Sequence, residues 1–225
     1  MNRKYRISSG ILLVFILALG LLTACKGGKK APEDEIKLQA PQDNAAILQD
    51  IKQAERIFNA LPSPLESAML IKSAGAKFDA EVLNPVSRGS SYVTSKAMAL
   101  NLGVYTCDLS FASLYEQTQL LIDYMNAAKR MADGLGILDA INEDDINRLE
   151  ENINNTEVIM DIVSQTFMNS NSYLEDNGQP ATAQMVLVGG WVEGLYISTQ
   201  LVDMKEFNGN KLVSKIIYQK LSIDI

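Results

Sequence analysis

Met185-Val186-Leu187-Val188-Gly189-Gly190-Trp191-Val192-Glu193-Gly194-Leu195-Tyr196-Ile197 is the stretch on which the fold class turns. Its first four residues followed by Gly189-Gly190 fit a buried strand and a turn, and short apolar runs do not separate strand from helix. Met185, Val188, Val192, Leu195 and Thr199 also recur at helical spacing, and Pro180 suits a first helical turn. The spacing predicts a helix from Pro180. Three interior glycines cost that helix about 1 kcal/mol each relative to alanine. Gly190 and Gly194 lie one turn apart, so close approach of a neighbouring helix over them is expected to offset the cost.

Outward from this stretch the same periodicity repeats. Asp43 to Ala60 carries Ile47, Ile51, Ala54 and Phe58 at helical spacing, continued by Leu61. Ser63-Pro64-Leu65-Glu66 then supplies an N-cap, a proline at N1 and an acid at N3, with Gly75 as the stop. Ala76 to Gly89 allows a short helix around Phe78 to Leu83 before Asn84-Pro85 breaks it. From Ser90 to about Tyr115, an apolar stripe of Ala97, Leu100, Val104, Cys107, Phe111 and Leu114 predicts a long amphipathic helix. A second pattern runs from Gln117 to Ala132. With no Pro or Gly between them, the two read equally as one kinked helix or as two. Gly134 and Gly136 close the segment. Further helices are expected near Asn142 to Asn152, from an Asn154-x-x-Glu157 start to Glu175 ending at Asn177-Gly178, and near Asn210 to Leu221.

These elements make an all-α chain of seven to eight helices in antiparallel hairpins. No tetratricopeptide-like 34-residue signature is present, so a compact bundle is preferred to a helical-repeat solenoid.

Residues 1–24 read as a leader: Arg3, Lys4 and Arg6 precede an apolar run from Ile11 to Leu22. That run falls short of the roughly 20 residues that span a bilayer core. Leu22-Thr23-Ala24-Cys25 resembles the lipobox of bacterial lipoproteins. The resemblance implies cleavage before Cys25, a diacylglyceryl group on its thiol and an acyl chain, such as palmitate, on its freed amine. Two or more chains anchor stably where one binds only marginally. Residues 25–42 then read as the lipidated Cys and a flexible tether, and 43–225 as a single helical domain. An acidic run directly after the Cys often accompanies surface export in Bacteroidetes-type lipoproteins. Here the first residues after Cys25 are basic and Gly-rich, so an outer-membrane protein facing the periplasm is expected.

Composition excludes several function classes. The net charge is −7, and with residues 1–24 removed 17 basic groups face 27 acidic ones, or −10, which speaks against a nucleic-acid partner. The chain has no histidine, which removes Ser-His-Asp and Cys-His catalysis and imidazole metal ligation. Cys107, beside Gly103, Val104 and Phe111, reads as a small core residue, and no disulfide framework is available. No cofactor or metal site is predicted.

Two constellations remain. Asn101, Tyr105 and Asp108 stand at i, i+4 and i+7, either as a solvated face or as a polar wall able to bind a ligand. Trp191, Glu193 and Tyr196 share the glycine-rich stretch, where Glu193 is expected to be poorly solvated, with a hydrogen-bond partner or a raised pKa. A glycosidase needs a facing carboxylate pair, and the sequence identifies no second member for Glu193.

Ala99-Leu100-Asn101-Leu102-Gly103-Val104-Tyr105, Asp108-Leu109-Ser110 and Gly189-Gly190-Trp191-Val192-Glu193-Gly194-Leu195-Tyr196 together resemble a family of uncharacterised Bacteroidetes-type lipoproteins, over roughly Leu61 to Tyr196. The resemblance implies a helical fold and an envelope location and brings no catalytic residues with it. The expected function is a non-enzymatic, lipid-anchored envelope protein whose helical body binds a small ligand or an envelope protein. The alternative is a carboxylate-based enzyme or cation-binding protein using Asp108, Glu116 or Glu193.

Overall fold

Ser63 opens helix α1 (Pro64–Ser73) with the expected chemistry. Its hydroxyl accepts from the Glu66 amide at 3.2 Å, Glu66 Oε2 accepts from the Ser63 amide at 2.7 Å, and Pro64 fills the first turn. The exchange satisfies two amides that a helix start otherwise leaves without partners. Gly75, at φ +86°, turns the chain out of the helix. The computed structural model describes residues 61–141, 143–203, 205 and 209–220, with Gln49, Lys52, Gln53, Arg56, Ile57 and Ala60, which are helical. The leader, Cys25, the tether and the remainder of the helix expected from Asp43 lie outside the described residues.

Between Phe78 and Tyr92 the chain forms two short 3₁₀ segments, Ala80–Val82 and Val86–Ser91, where a helix around Phe78 to Leu83 was the expectation. Pro85 lacks an amide and bars Asn84 from helical backbone, so neither turn can propagate across it. Helix α2 (Ser95–Leu114) starts on Thr94, whose Oγ1 accepts from the Ala97 amide at 3.2 Å.

Helix α3 (Thr118–Gly134) is separate from α2. The break needs neither Gly nor Pro: Glu116 adopts φ +58°, and the Gln117 amide reaches back to the Ala112 carbonyl at 2.9 Å. Lys72 donates to the Leu114 carbonyl, and the Tyr115 hydroxyl donates to the Ala76 carbonyl, fixing this corner against α1. Helices α4 (Glu143–Glu151), α5 (Thr156–Asp176), α6 (Pro180–Gln200) and α7 (Lys211–Gln219) follow. Asn155, one residue later than the Asn154 start the sequence suggested, caps α5 by accepting from the Val158 amide at 3.3 Å. Among the described residues there is no strand, and no helix is long and apolar enough to cross a membrane.

The centre of the fold is the crossing of α2 with α6, with α1 laid over both, α3 folded back along α2 and α5 along α6. Helices so far apart in sequence make the most extensive contact, which is bundle packing and not the neighbour-to-neighbour stacking of a solenoid. Backbones approach closely at the crossing. A Cβ on Gly189 would stand 1.9 Å from the Leu100 carbonyl oxygen, and one on Gly103 would stand 1.9 Å from that of Val186. Pro64 and Ser67 of α1 sit over Gly190 and Gly194, the close approach the sequence called for.

Two faces differ from the sequence expectation. Helix α2 is not simply amphipathic, since every residue from Cys107 to Leu114 is buried. Helix α6 buries Ala183, Val186, Gly189, Gly190, Glu193 and Ile197, while the larger Met185, Val188 and Leu195 are only half-buried and Val192 is 49% exposed. Small residues won the interior there because backbone-to-backbone packing leaves no room for large ones.

Candidate functional site

The two polar constellations meet inside the protein. Asp108 from α2 (0% exposed) and Glu193 from α6 (6% exposed) come together at the helix crossing, where each carboxyl acts on the other. Asn84, held in the loop before Pro85, turns its amides towards them. Its backbone N–H donates to Asp108 Oδ2 at 3.2 Å and its Nδ2 to the same oxygen at 3.3 Å, and its side chain also favours the charged form of Glu193. Tyr124 of α3 donates to the Asn84 carbonyl and Tyr105 of α2 to that of Pro85, both at 2.8 Å. These tyrosines stack edge to face at 5.7 Å, which closes the cluster on that side.

Electrostatics follow from this closure. Burial, then the neighbouring Glu193 charge, pushes the Asp108 carboxyl well above the usual carboxylate range, against the opposing hydrogen bonds from Asn84. Burial raises Glu193 to about 7, with Asn84 and Asp108 pulling the other way. Burial likewise raises the hydroxyls of Tyr105 and Tyr124 and the Cys107 thiol. Cys107 is fully buried and free, the small core residue its neighbours suggested.

The other predicted positions lie elsewhere. Asn101 spends its amide on the Ala97 carbonyl at 2.8 Å, one turn back on its own helix. Trp191 Nε1 donates to Gln219 Oε1 of α7 at 3.0 Å, and Tyr196 is 47% exposed. Glu116 sits exposed at the α2/α3 corner. Asp108 and Glu193 are therefore brought together, and Glu116, Asn101, Trp191 and Tyr196 are not joined to them. Asn84 and Tyr124 complete the cluster without having been singled out from sequence. The available signal was Asn84 itself, a polar residue fixed in extended backbone by the following proline, with amides left over to donate.

A second feature has no counterpart among the sequence-read sites. On another face of α2, a partly open cavity of about 110 Å³ lies between α2, α3, α4, α5 and α6. Fourteen of its twenty lining residues are apolar, among them Leu109, Met125, Ile137, Leu149, Ile162 and Phe167, so water has few partners inside. Lys129 stands at its exposed edge, and Asp145 at its wall is paired with Arg148 at 3.1 Å. Among the described residues no three Cys, Asp or Glu side chains come together as metal ligands. Comparison of the chain with known protein families, with curated proteins and with solved structures finds no match.

Proposed function

We propose that this chain is a lipid-anchored bacterial envelope protein, held through Cys25 at the outer membrane and facing the periplasm, whose helical body binds a small apolar molecule without turning it over. The observation that carries the binding reading is the apolar cavity of about 110 Å³. Its apolar wall offers contacts that an apolar occupant makes and that water, with few polar partners there, does not. The sealed placement of Asp108 and Glu193 supports the non-enzymatic half, since an acid catalyst must reach its substrate. The anchor half rests on the leader and on Leu22-Thr23-Ala24-Cys25.

The binding test is a fluorescence titration of the full chain with N-phenyl-1-naphthylamine. Saturable enhancement, competed by short alkanes or alcohols, is expected; a linear, non-saturating signal removes the reading. Cys25→Ser is expected to move the protein from the membrane to the soluble fraction, and retention of that variant in membranes would refute the lipid anchor. A carboxylate-based enzyme or cation-binding protein remains as a second reading because Asp108 and Glu193 do face one another. It requires that divalent cations raise the Tm and that Glu193→Gln abolish the rise.

A further inference from the structure

The Asp108/Glu193 contact poses a problem that its surroundings do not solve. Asp108 Oδ1 and Glu193 Oε1 are buried and have no hydrogen-bond partner among the described residues. Buried polar atoms are normally satisfied, and each exception requires an account. Two ionised carboxylates cannot donate to each other. A carboxylic acid facing a carboxylate can, and a single proton between them gives both groups a partner at once.

The alternative, a nearby cation, is not supplied by the described residues packed around the pair. On α2 itself the titratable neighbours are Tyr105 and Cys107, and on α3 the nearest is Tyr124, with Asp123 beyond it. From the preceding loop come Asn84, which is neutral, and Tyr92 and Arg88, both of which act on Tyr105. On α1, Glu66 closes its own capping box and Lys72 is bound at the Leu114 carbonyl. On α5, Glu157 and Asp161 are exposed. On α7, Lys215 lines the shallow pocket over Gly194 and Ser198. Among the described residues no Lys or Arg acts on either carboxyl.

We infer that the α2/α6 crossing contains a one-proton site shared by Asp108 and Glu193, and that removing this proton loosens the crossing. In acid both carboxyls are protonated and neutral. In the intermediate state Asp108 holds the proton and donates it to Glu193. When that proton leaves for solvent, two carboxylates face each other across backbones already in van der Waals contact at Gly103 and Gly189. The helices cannot relax by small adjustment, because packed interiors have no slack to take it up. They separate, or water enters. This inference concerns the crossing alone and does not depend on what fills the apolar cavity.

Two measurements on the full chain decide it. In the first, the side-chain carboxyls are labelled with ¹³C and followed by NMR from pH 4.5 upward until the last buried carboxyl ionises or the chain unfolds. One Glu carbon is expected to step near neutral pH, as Glu193 ionises and the one-proton state forms, while one Asp carbon keeps its proton through that step and loses it only at higher pH. Both carbons fully ionised by pH 5 would overturn the inference, and this readout needs no variant to fold. In the second, hydrogen exchange corrected for intrinsic rate is compared on either side of the pH at which that Asp carbon loses its proton. Peptides covering 102–110 and 186–197 are expected to lose at least tenfold protection, peptides of α3 much less, and Glu193→Gln is expected to abolish the difference. Gln keeps the shape and donates to Asp108 through its amide at every pH. An equal loss in Glu193→Gln, or a uniform loss in all helices of the wild type, would show that the shared proton does not hold the crossing.

Discussion

The α2/α6 crossing and the α4/α5 flank are built from opposite kinds of residue, and they pack in opposite ways. At the crossing, glycines bring backbone against backbone and the space is so full that a single methyl has nowhere to go. On the flank, large side chains such as Phe167, Met125 and Leu149 leave a void of about 110 Å³ between them. Helix α4 is short and acidic, and it packs chiefly against α5. The polar groups follow the same division. The carboxyls at the crossing are sealed and short of hydrogen-bond partners, whereas Lys129 stands exposed at the cavity's edge. Large side chains therefore do not mark the tightest packing in this protein. Backbones touch at its smallest residues, while some of its largest leave space between them.

The sharpest way to break that comparison is to add one methyl on each kind of ground. Gly189→Ala places a Cβ 1.9 Å from the Leu100 carbonyl oxygen, a contact with backbone that no rotamer change relieves. A loss of at least about 3 kcal/mol is expected, read as a fall in Tm of roughly 6–12 °C for a chain of this size. Gly178→Ala is the control. That position has φ +72° with nothing within 4 Å, so only the left-handed backbone penalty of about 1–2 kcal/mol applies. Equal effects from the two would mean that α2 and α6 are not in backbone contact.

The polar half of the crossing is probed by pH. Glu193 in the folded chain is raised to about 7 from an ordinary value of 4.5, so the folded state holds the proton more tightly than the unfolded one. Its contribution is fully present below pH 4.5 and is lost as pH rises through about 7, amounting to about 3 kcal/mol. Asn84 favours the charged forms of both carboxyls. Asn84→Ala should therefore move the midpoint of that decline upward from about 7. It should also remove about 1–3 kcal/mol of stability by stripping donors from buried oxygens. Urea unfolding from pH 5 to 9 checks both; an unmoved midpoint would mean Asn84 supports the loop and not the carboxyl pair.

What was legible in the sequence follows the same division. Helix α1 is set by local chemistry, and Ser63, Pro64, Glu66 and Gly75 each do what their spacing implies. The existence of α6 was legible from periodicity, but its inward face was not. The apolar stripe of Met185, Val188, Val192 and Leu195 is the expected buried side only if hydrophobic bulk decides burial. Here the approach of α2 decides it, and that information sits in Gly103 and Leu100, more than eighty residues away. The same distance hid the partner of Glu193. Its poor solvation could be read from Gly189 and Ile197 one turn away, while Asp108 as its neighbour depends on a crossing that no local pattern encodes. The α2/α3 break was hidden for a different reason, because Glu116 enters left-handed backbone without being a glycine. The cavity gave no signal at all, since a void is a property of five helices together and of none alone.

That void also yields the smallest predicted effect and the one that tells most about the flank. Ala128 lines the cavity and is half-buried, so Ala128→Leu adds three carbons where the wall has space. Core positions normally lose about 1–3 kcal/mol to such overpacking. Here the expectation is reversed, a gain of about 1 kcal/mol from restored contacts. The same variant is expected to lose saturable N-phenyl-1-naphthylamine binding. Stability and binding moving in opposite directions is the signature of space kept open at a cost. A variant that is destabilised yet still binds the probe would place the probe elsewhere and show that the flank is as well filled as the crossing.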